Sequence, residues 1–290
     1  MKTDSTKTVN GNNFRVLEVI AWLCAFVAFS PAILWLARGL TQSSQLREAM
    51  VIMVSALLVL AVEYGIRPHK PRFSKPAALW LGGAYLSFFV SQFFGVWGAL
   101  AIFAGLAMAI VAAGLVCFDR TRYVYAAGGA FYAFTLLSFV VKIFDFPLRV
   151  WAGFLASKIL SIFNKSVVIL VGGGNSPQIA MQVDGSTYLV ATECNGFGII
   201  SSCFILSVLM AIFFKNLPVW RRILIPVAAV ALAYFANSLR IAAIIATAPL
   251  FDKARYDLIH EFWGYLFFAL SLIVVWMMFR RENGGNSNQF

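Results

Sequence analysis

Charged residues are scarce in this chain of 290 residues: they make up 12% of the sequence, whereas 61% of the residues are hydrophobic. An ordinary soluble domain contains about 25% charged and roughly 45–50% apolar residues. The composition therefore excludes a soluble globular protein, and the apolar content excludes an intrinsically disordered chain. With 4 cysteines and 21 glycines that follow no fixed period, a disulfide-stapled or collagen-like chain is excluded as well. What remains is a polytopic membrane protein.

Eight apolar runs are long enough to cross a bilayer, which takes about 20 predominantly apolar residues per helix. They cover residues 17–36, 49–66, 76–96, 97–117, 123–141, 198–214, 223–247 and 262–279. We therefore predict an all-α polytopic membrane protein, a bundle of about eight transmembrane helices forming one integral membrane domain over residues 1–290. The first run exceeds the roughly 7–15 apolar residues of a signal peptide, so we expect an uncleaved anchor.

The formal net charge of +11 does not indicate a nucleic-acid partner, because the basic residues lie in short segments between the apolar runs, where they orient helices. With the N-terminus in the cytoplasm, most of these residues fall on the cytoplasmic side. We predict a multi-pass protein of the cell inner (plasma) membrane whose termini are both cytoplasmic, with cytoplasmic tails at residues 1–16 and 282–290. Residues 142–194 and 248–261 then face the extracytoplasmic side.

Residues 142–194 form the least membrane-like part of the chain. Apolar residues recur at helical spacing opposite basic ones between 148 and 165, which predicts an amphipathic helix lying in the outer membrane interface. A short strand is expected at 167–171, a turn at 172–177 and a small β-hairpin over 178–190. Asp184-Gly185 lies between the two extended runs of that hairpin, and such a pair is typical of a type I′ turn.

Cys194 stands at the mouth of the sixth apolar run, where polar residues give way to an apolar helix. A thiol there would be wet enough to ionise, and the N-terminus of the following helix would stabilise a thiolate. A packing cysteine or half of a disulfide is the structural alternative, although the outer face offers no second cysteine. Cys24, Cys117 and Cys203 lie within the predicted spans and are expected to pack as small apolar groups.

Arg240 lies inside the seventh apolar run, toward its outer end. An intramembrane arginine is costly and usually faces a polar cavity or a partner, although an arginine about two turns from the end of a span can also snorkel to the interface. Asn237 stands three residues earlier on the same helical face, which favours a polar site.

His260 opens the eighth run, and the only other histidine, His69, lies in a basic cytoplasmic loop. A histidine that caps a helix beside an aromatic belt is the structural alternative for His260. Glu193 and Glu261 are candidate orienting carboxylates, although each would also be explained as a solvated acid at the start of a helix.

The charge-derived topology places Cys194, Arg240 and His260 in the same leaflet. A cysteine nucleophile, a histidine that moves its proton and a fixed cation are the parts of an acyl-transfer site. Glu193, Asn195, Asn237 and Glu261 are the supporting candidates.

Three motifs in this order resemble the exosortase and archaeosortase family: E-C-N-G-F at 193–197, N-S-L-R at 237–240 and H-E-F-W-G at 260–264. The resemblance implies a membrane cysteine protease and transpeptidase that cleaves exported proteins at a C-terminal sorting signal, made of a motif such as PEP, a transmembrane helix and a basic tail. By this resemblance, Cys194 corresponds to the nucleophile, Arg240 to the cation and His260 to the general acid and base of the family. Asn195 stands where many members carry a small residue, which leaves the subclass and the cognate signal open.

The expected partners are such exported proteins and the lipid bilayer, with transfer to a surface or polysaccharide-linked acceptor; no nucleic acid is expected. No cofactor motif is present, and a single outer histidine without a Cys/His cluster does not build a zinc site, so we expect no metal. Three alternatives stay open: a transporter lined by Arg240, Glu193 and Glu261, a non-catalytic assembly factor for envelope polysaccharide, and a membrane acyltransferase acting on lipid.

Overall fold

The computed structural model describes residues 11–163, 165–172, 178–190, 192–214, 217–251 and 255–283; at 11–15, 141–143, 192–193, 256 and 280–283 it describes the backbone alone. Over this range the chain forms eight α-helices and three β-strands. The helices are α1 (Gly11–Gln42), α2 (Ser44–Glu63), α3 (Lys75–Ser91), α4 (Gly98–Cys117), α5 (Thr121–Ile162), α6 (Phe197–Phe213), α7 (Val219–Thr247) and α8 (Tyr256–Asn283), and the strands are β1 (Val167–Gly172), β2 (Gln178–Val183) and β3 (Ser186–Leu189).

Six helical segments of the described chain are long and apolar enough to cross a membrane, so the protein is a polytopic all-α membrane protein, as predicted. They are Val16–Gln42, Ser44–Glu63, Gly95–Cys117, Thr121–Val140, Val219–Leu250 and Asp257–Phe279. Helices α3 and α6 have 17 residues each. That makes each about 25 Å long, somewhat less than the roughly 30 Å of the hydrocarbon core. The number of eight spans therefore stays a prediction.

The first two helices extend further than their apolar runs. Helix α1 ends at Gln42 and α2 begins at Ser44, so the polar residues between the predicted spans are largely helical. Ser43 caps α2, since its hydroxyl accepts a hydrogen bond of 3.3 Å from the backbone N–H of Leu46. As a result Glu48, which lies outside the predicted span 49–66, stands near the start of α2.

The predicted interfacial helix is not a separate element. Residues 121–162 form the single helix α5, which has 42 residues and contains Pro147. At 1.5 Å per residue α5 is about 63 Å long, roughly twice the thickness of the hydrocarbon core. Proline removes one backbone donor but does not always end a helix. The prediction of two helices is wrong because the polar residues around Pro147 interrupt the hydropathy without interrupting the helix.

The predicted hairpin is confirmed and forms part of a larger sheet. β2 and β3 are antiparallel, and Asp184 and Gly185 between them have φ of +49° and +86°, as a type I′ turn requires. β1 also pairs with β2, with Val167 opposite Val183, so the strands form a three-stranded antiparallel sheet in the order β1-β2-β3. Of the predicted turn 172–177, residues 173–177 lie outside the described part of the chain.

The sheet packs on the C-terminal half of α5. Alternate residues of β2 are buried because a strand turns successive side chains to opposite faces. One buried cluster joins the strands to α5 and α7; its members include Ile179, Met181, Val183, Ala152, Ala156, Leu160 and Ile241. Trp151 and Ile162, which belong to the apolar face predicted for the interface, are exposed. The sheet therefore covers the alanine face of α5.

Helix α6 lies at the centre of the bundle. Twelve of its residues are buried, and it packs against α2, α5, α7 and α8. Its buried Ser201 is satisfied locally, since the hydroxyl donates to the carbonyl of Phe197 at 2.7 Å. The starts of α2, α6 and α8 and the last two turns of α7 meet around one cavity. We call this end of the bundle the site end.

Candidate functional site

The turn that carries Cys194 is fixed by the two residues that follow it. Residues Thr192–Asn195 form a 3₁₀ turn immediately before α6. The side-chain oxygen of Asn195 accepts a hydrogen bond of 2.8 Å from the backbone N–H of Phe197, which satisfies a donor at the start of α6. Gly196 has a φ of +80°, a left-handed conformation that glycine adopts without strain. The sequence Asn-Gly after the cysteine thus sets the entrance to the helix.

Asn237 ties this turn to α7. Its side-chain amide nitrogen donates to the backbone carbonyl of Cys194 at 2.9 Å, and the residue is fully buried. A Cβ on Gly196 would lie 2.7 Å from the side-chain amide carbon of Asn237, a distance that real Cβ atoms essentially never show. Since Arg240 follows Asn237 by one turn of α7, Cys194 and Arg240 are held by the same stretch of helix.

Cys194 is more enclosed than the sequence predicts. The residue is 7% exposed and belongs to the apolar cluster formed by the sheet, α5 and α7. All four cysteines are thiols rather than disulfide sulfurs. The expectation of a wet thiol is wrong because the sheet, the C-terminal half of α5 and Ile241 of α7 close over the turn. The start of α6 nevertheless follows within three residues, as expected.

Arg240 and His260 form a hydrogen-bonded pair. Nη2 of Arg240 lies 2.9 Å from Nε2 of His260. An arginine can only donate, so Nε2 accepts with its lone pair and the ring in this arrangement is the neutral tautomer that carries its proton on Nδ1. A Cβ on Gly264 would lie 3.6 Å from both Nε and Nη2 of Arg240. The guanidinium therefore lies against the backbone of α8, one turn beyond His260.

Asp145 is a site residue that the sequence analysis missed. One of its carboxylate oxygens accepts a hydrogen bond of 2.6 Å from the side-chain amide of Asn195. The other oxygen forms an ion pair of 2.8 Å with Nη2 of Arg149. Asn195, which is 2% exposed, thereby bridges α5 and the start of α6. The signal available in the sequence was an acid four residues before an arginine, on the side predicted for Cys194.

A cavity of about 640 Å³ opens beside the Arg240–His260 pair. Its walls come from α2, α6, α7 and α8, and it includes Glu261, one of the supporting candidates. Its size is within the roughly 300–1,000 Å³ of ligand sites. Cys194 is not among its lining residues, although Gly196, two residues further along the same turn, is.

Glu48 is the second residue that the sequence analysis missed. It lines the cavity from α2, and its carboxylate lies 3.4 Å from where a Cβ on Gly198 would stand, at the first turn of α6. Arg240 lines the same cavity from α7. The signal in the sequence was an acid beside an arginine at the outer end of the second apolar run.

The predicted site residues whose side chains the structure describes thus meet at the site end. Cys194, Asn195 and Asn237 form the buried turn and its contacts, whereas Arg240, His260 and Glu261 border the cavity. The side chain of Glu193 lies outside the described part of the structure. Within the described residues, no group of three or more His, Cys, Asp or Glu side chains is arranged to hold a metal ion.

A family model described as transmembrane exosortase matches residues 48–277 of this chain. The match covers most of the chain and includes Glu48, Asp145, Cys194, Asn237, Arg240 and His260. No curated protein and no solved structure matches the chain.

Proposed function

Because the chain belongs to the transmembrane exosortase family, we propose that it is a membrane cysteine protease and transpeptidase, which cleaves the C-terminal sorting signal of exported proteins. The observation that carries the proposal is the connection of Cys194 through Asn237 to the Arg240–His260 pair. A thiol, an imidazole and a fixed guanidinium on neighbouring elements can supply the nucleophile, the base and the oxyanion stabiliser of thioester chemistry.

In the proposed reaction the sulfur of Cys194 attacks the scissile carbonyl carbon while His260 takes the thiol proton. Arg240 donates to the carbonyl oxygen as it becomes negative; a fixed donor of this kind contributes roughly 2.7–4 kcal/mol. The C–N bond then breaks, and the leaving amine takes the proton from His260. An incoming amine or water gives a proton to His260 and attacks the thioester carbonyl carbon. The C–S bond then breaks, and the sulfur of Cys194 takes the proton back from His260.

In the proposed reaction, the Arg240–His260 hydrogen bond couples proton transfer to His260 with the stabilisation of the oxyanion by Arg240. His260 can accept the thiol proton at Nε2 only after Arg240 stops donating to that nitrogen. A developing oxyanion is a stronger acceptor for the guanidinium than a neutral imidazole, because the cation then donates to an opposite charge rather than to a neutral lone pair. In the proposal, substrate attack and the release of His260 therefore occur together.

The proposal also covers the setting of the reaction. It places the protein in the inner (plasma) membrane with both termini in the cytoplasm and the site end at the extracytoplasmic face. The substrates are exported proteins that carry a sorting motif, a transmembrane helix and a basic tail. The acceptor is a surface or polysaccharide-linked amine, and water in its place would give plain proteolysis.

The test is the processing of a co-expressed, tagged reporter that carries a tripartite signal from the same genome, followed by immunoblotting. At matched enzyme levels, Cys194→Ala, Arg240→Ala and His260→Ala should each abolish or strongly reduce the size shift. Cys24→Ala and His69→Ala are matched controls outside the site and should process like wild type. Normal processing by Cys194→Ala would remove the nucleophile and favour a transporter or an assembly factor.

A further inference from the structure

The cavity at the site end deepens into a cleft between α2 and α8. Both helices pack against α6, which forms the floor of the cleft. Near the mouth α2 contributes Ser44 and Glu48, and further along it contributes Val51 and Ile52. From residue 44 to residue 52 an α-helix rises about 12 Å. The lining thus changes from polar to apolar along the direction in which a chain would enter the bilayer.

An exposed apolar face continues the cleft along α2. Val51, Leu58 and Val62 follow one another at spacings of seven and four residues, which places them on one face of the helix. Leu58 is 60% exposed and Val62 is 83% exposed. The distance from residue 44 to residue 62 is about 27 Å, close to the roughly 30 Å of a hydrocarbon core. A small ligand would fill only the mouth, whereas a membrane-crossing helix would match the whole length.

The cleft has small residues where close approach is needed. Gly198 of α6 and Gly264 of α8 both line it. Small residues let two helix backbones come close together, which is the usual basis of helix association within a bilayer. Gly264 also lies against Arg240, so a helix seated there would begin beside the Arg240–His260 pair.

From these observations the geometry points to the α2–α8 cleft as the docking site for the transmembrane helix of the substrate's sorting signal. The inference rests on the proposed function, because it takes the substrate to carry such a helix directly after the cleaved motif. With the helix in the cleft, the residues preceding it would pass Arg240 and His260 and reach the turn that carries Cys194. The same arrangement places Glu48 and Glu261 on the two sides of the junction between motif and helix.

The inference is tested by site-specific photo-crosslinking in the full-length Cys194→Ala enzyme, which should hold the tagged reporter uncleaved. Benzoylphenylalanine replaces Val51 of α2 or Tyr265 of α8, both of which line the cleft. The controls carry it at Leu79 of α3 or Leu270 of α8, which are exposed but lie outside the cavity lining. We expect several-fold more reporter adduct from positions 51 and 265 than from either control.

Equal or absent reporter adducts at positions 51 and 265, in a system where the wild type processes the reporter, would overturn the docking site and leave the proposed function standing. Crosslinking of these positions to lipid alone, without reporter adduct, counts as this negative result. Failure of the wild type to process the reporter, or normal processing by Cys194→Ala, would instead overturn the proposed function and with it the inference. As a second measurement, Val51→Trp should raise KM several-fold at similar kcat, whereas Leu79→Trp should change neither.

Discussion

Asp145→Asn should both destabilise the protein and slow the processing of the reporter. The carboxylate makes two charge-assisted contacts, 2.6 Å to the Asn195 amide and 2.8 Å to Arg149. The side chains of Arg149 and Asp145 are 12% and 25% exposed, so solvent screens the pair only weakly. Hydrogen bonds to charged groups contribute about 1.5–3 kcal/mol each. Asparagine keeps the shape and one acceptor, so the expected loss is one such contact, roughly 1.5–3 kcal/mol.

The assay has two readouts: the Tm of purified enzyme in detergent and the initial rate of reporter processing at equal folded enzyme. Asp119→Asn is the matched control, because that carboxylate is 85% exposed where it contacts His69, and it should change neither readout. Adding Arg149→Met to Asp145→Asn should recover part of the lost Tm, since removing the orphaned cation is cheaper than leaving it unpaired.

A wild-type Tm for Asp145→Asn would refute the assigned role of the ion pair. A lowered Tm with an unchanged rate per folded molecule would show that Asp145 stabilises the fold without positioning the Cys194 turn. If the double variant loses as much Tm as the two single changes added together, the two side chains are not coupled.

The remaining predictions concern a glycine, an asparagine and an exposed carboxylate. Gly196→Ala should lower the Tm and the processing rate, because its φ is +80° and its Cβ would meet Asn237, whereas Gly82→Ala, with open space around it, should preserve the rate and raise stability by about 0.5–1 kcal/mol. Asn237→Ala should lower the processing rate per folded molecule, because the amide positions Cys194. A lowered Tm with an unchanged rate per folded molecule would contradict this. The hydrogen bond from Lys165 holds the pKa of Asp184 below its usual range, so this contribution to hairpin stability is present above about pH 4 and lost as the pH falls through the folded value. Carboxyl NMR titration should show a midpoint below the usual value that Lys165→Met restores; an identical midpoint in both proteins would contradict it.

The helices could be predicted from the sequence because a bilayer leaves backbone groups no partner but each other. Each predicted apolar run lies largely on a helix of the structure. Hydropathy reports how favourably a segment lies in lipid, however, and not which backbone conformation it adopts. The predicted span therefore ends before the polar residues around Pro147, although α5 continues to Ile162. The predicted span also omits the start of α2, where Glu48 is helical although the apolar run has not yet begun.

The site could be predicted in its residue types and less well in its contacts. Charge counting and membrane depth are properties of single residues, and they sufficed to bring Cys194, Arg240 and His260 to one end of the bundle. The enclosure of Cys194 depends instead on how the sheet docks on α5. β1 adds a third strand to the predicted hairpin, and that larger sheet covers the turn. Nothing in the local sequence specifies this docking.

Asp145, one of the two missed acids, shows what determines which polar side chains meet within a helical bundle. Asp145 and Asn195 are 50 residues apart in the chain, and their contact depends on how α5 is rotated about its axis relative to the start of α6. A rotation of 100°, the step between consecutive helical residues, would turn Asp145 away from Asn195. The docked sheet and the Arg149 pair, which lies four residues along the same face, oppose such a rotation. Asp145 and Arg149 thus help to specify the packing from which the site is assembled, which is why Asp145→Asn is expected to affect both stability and rate.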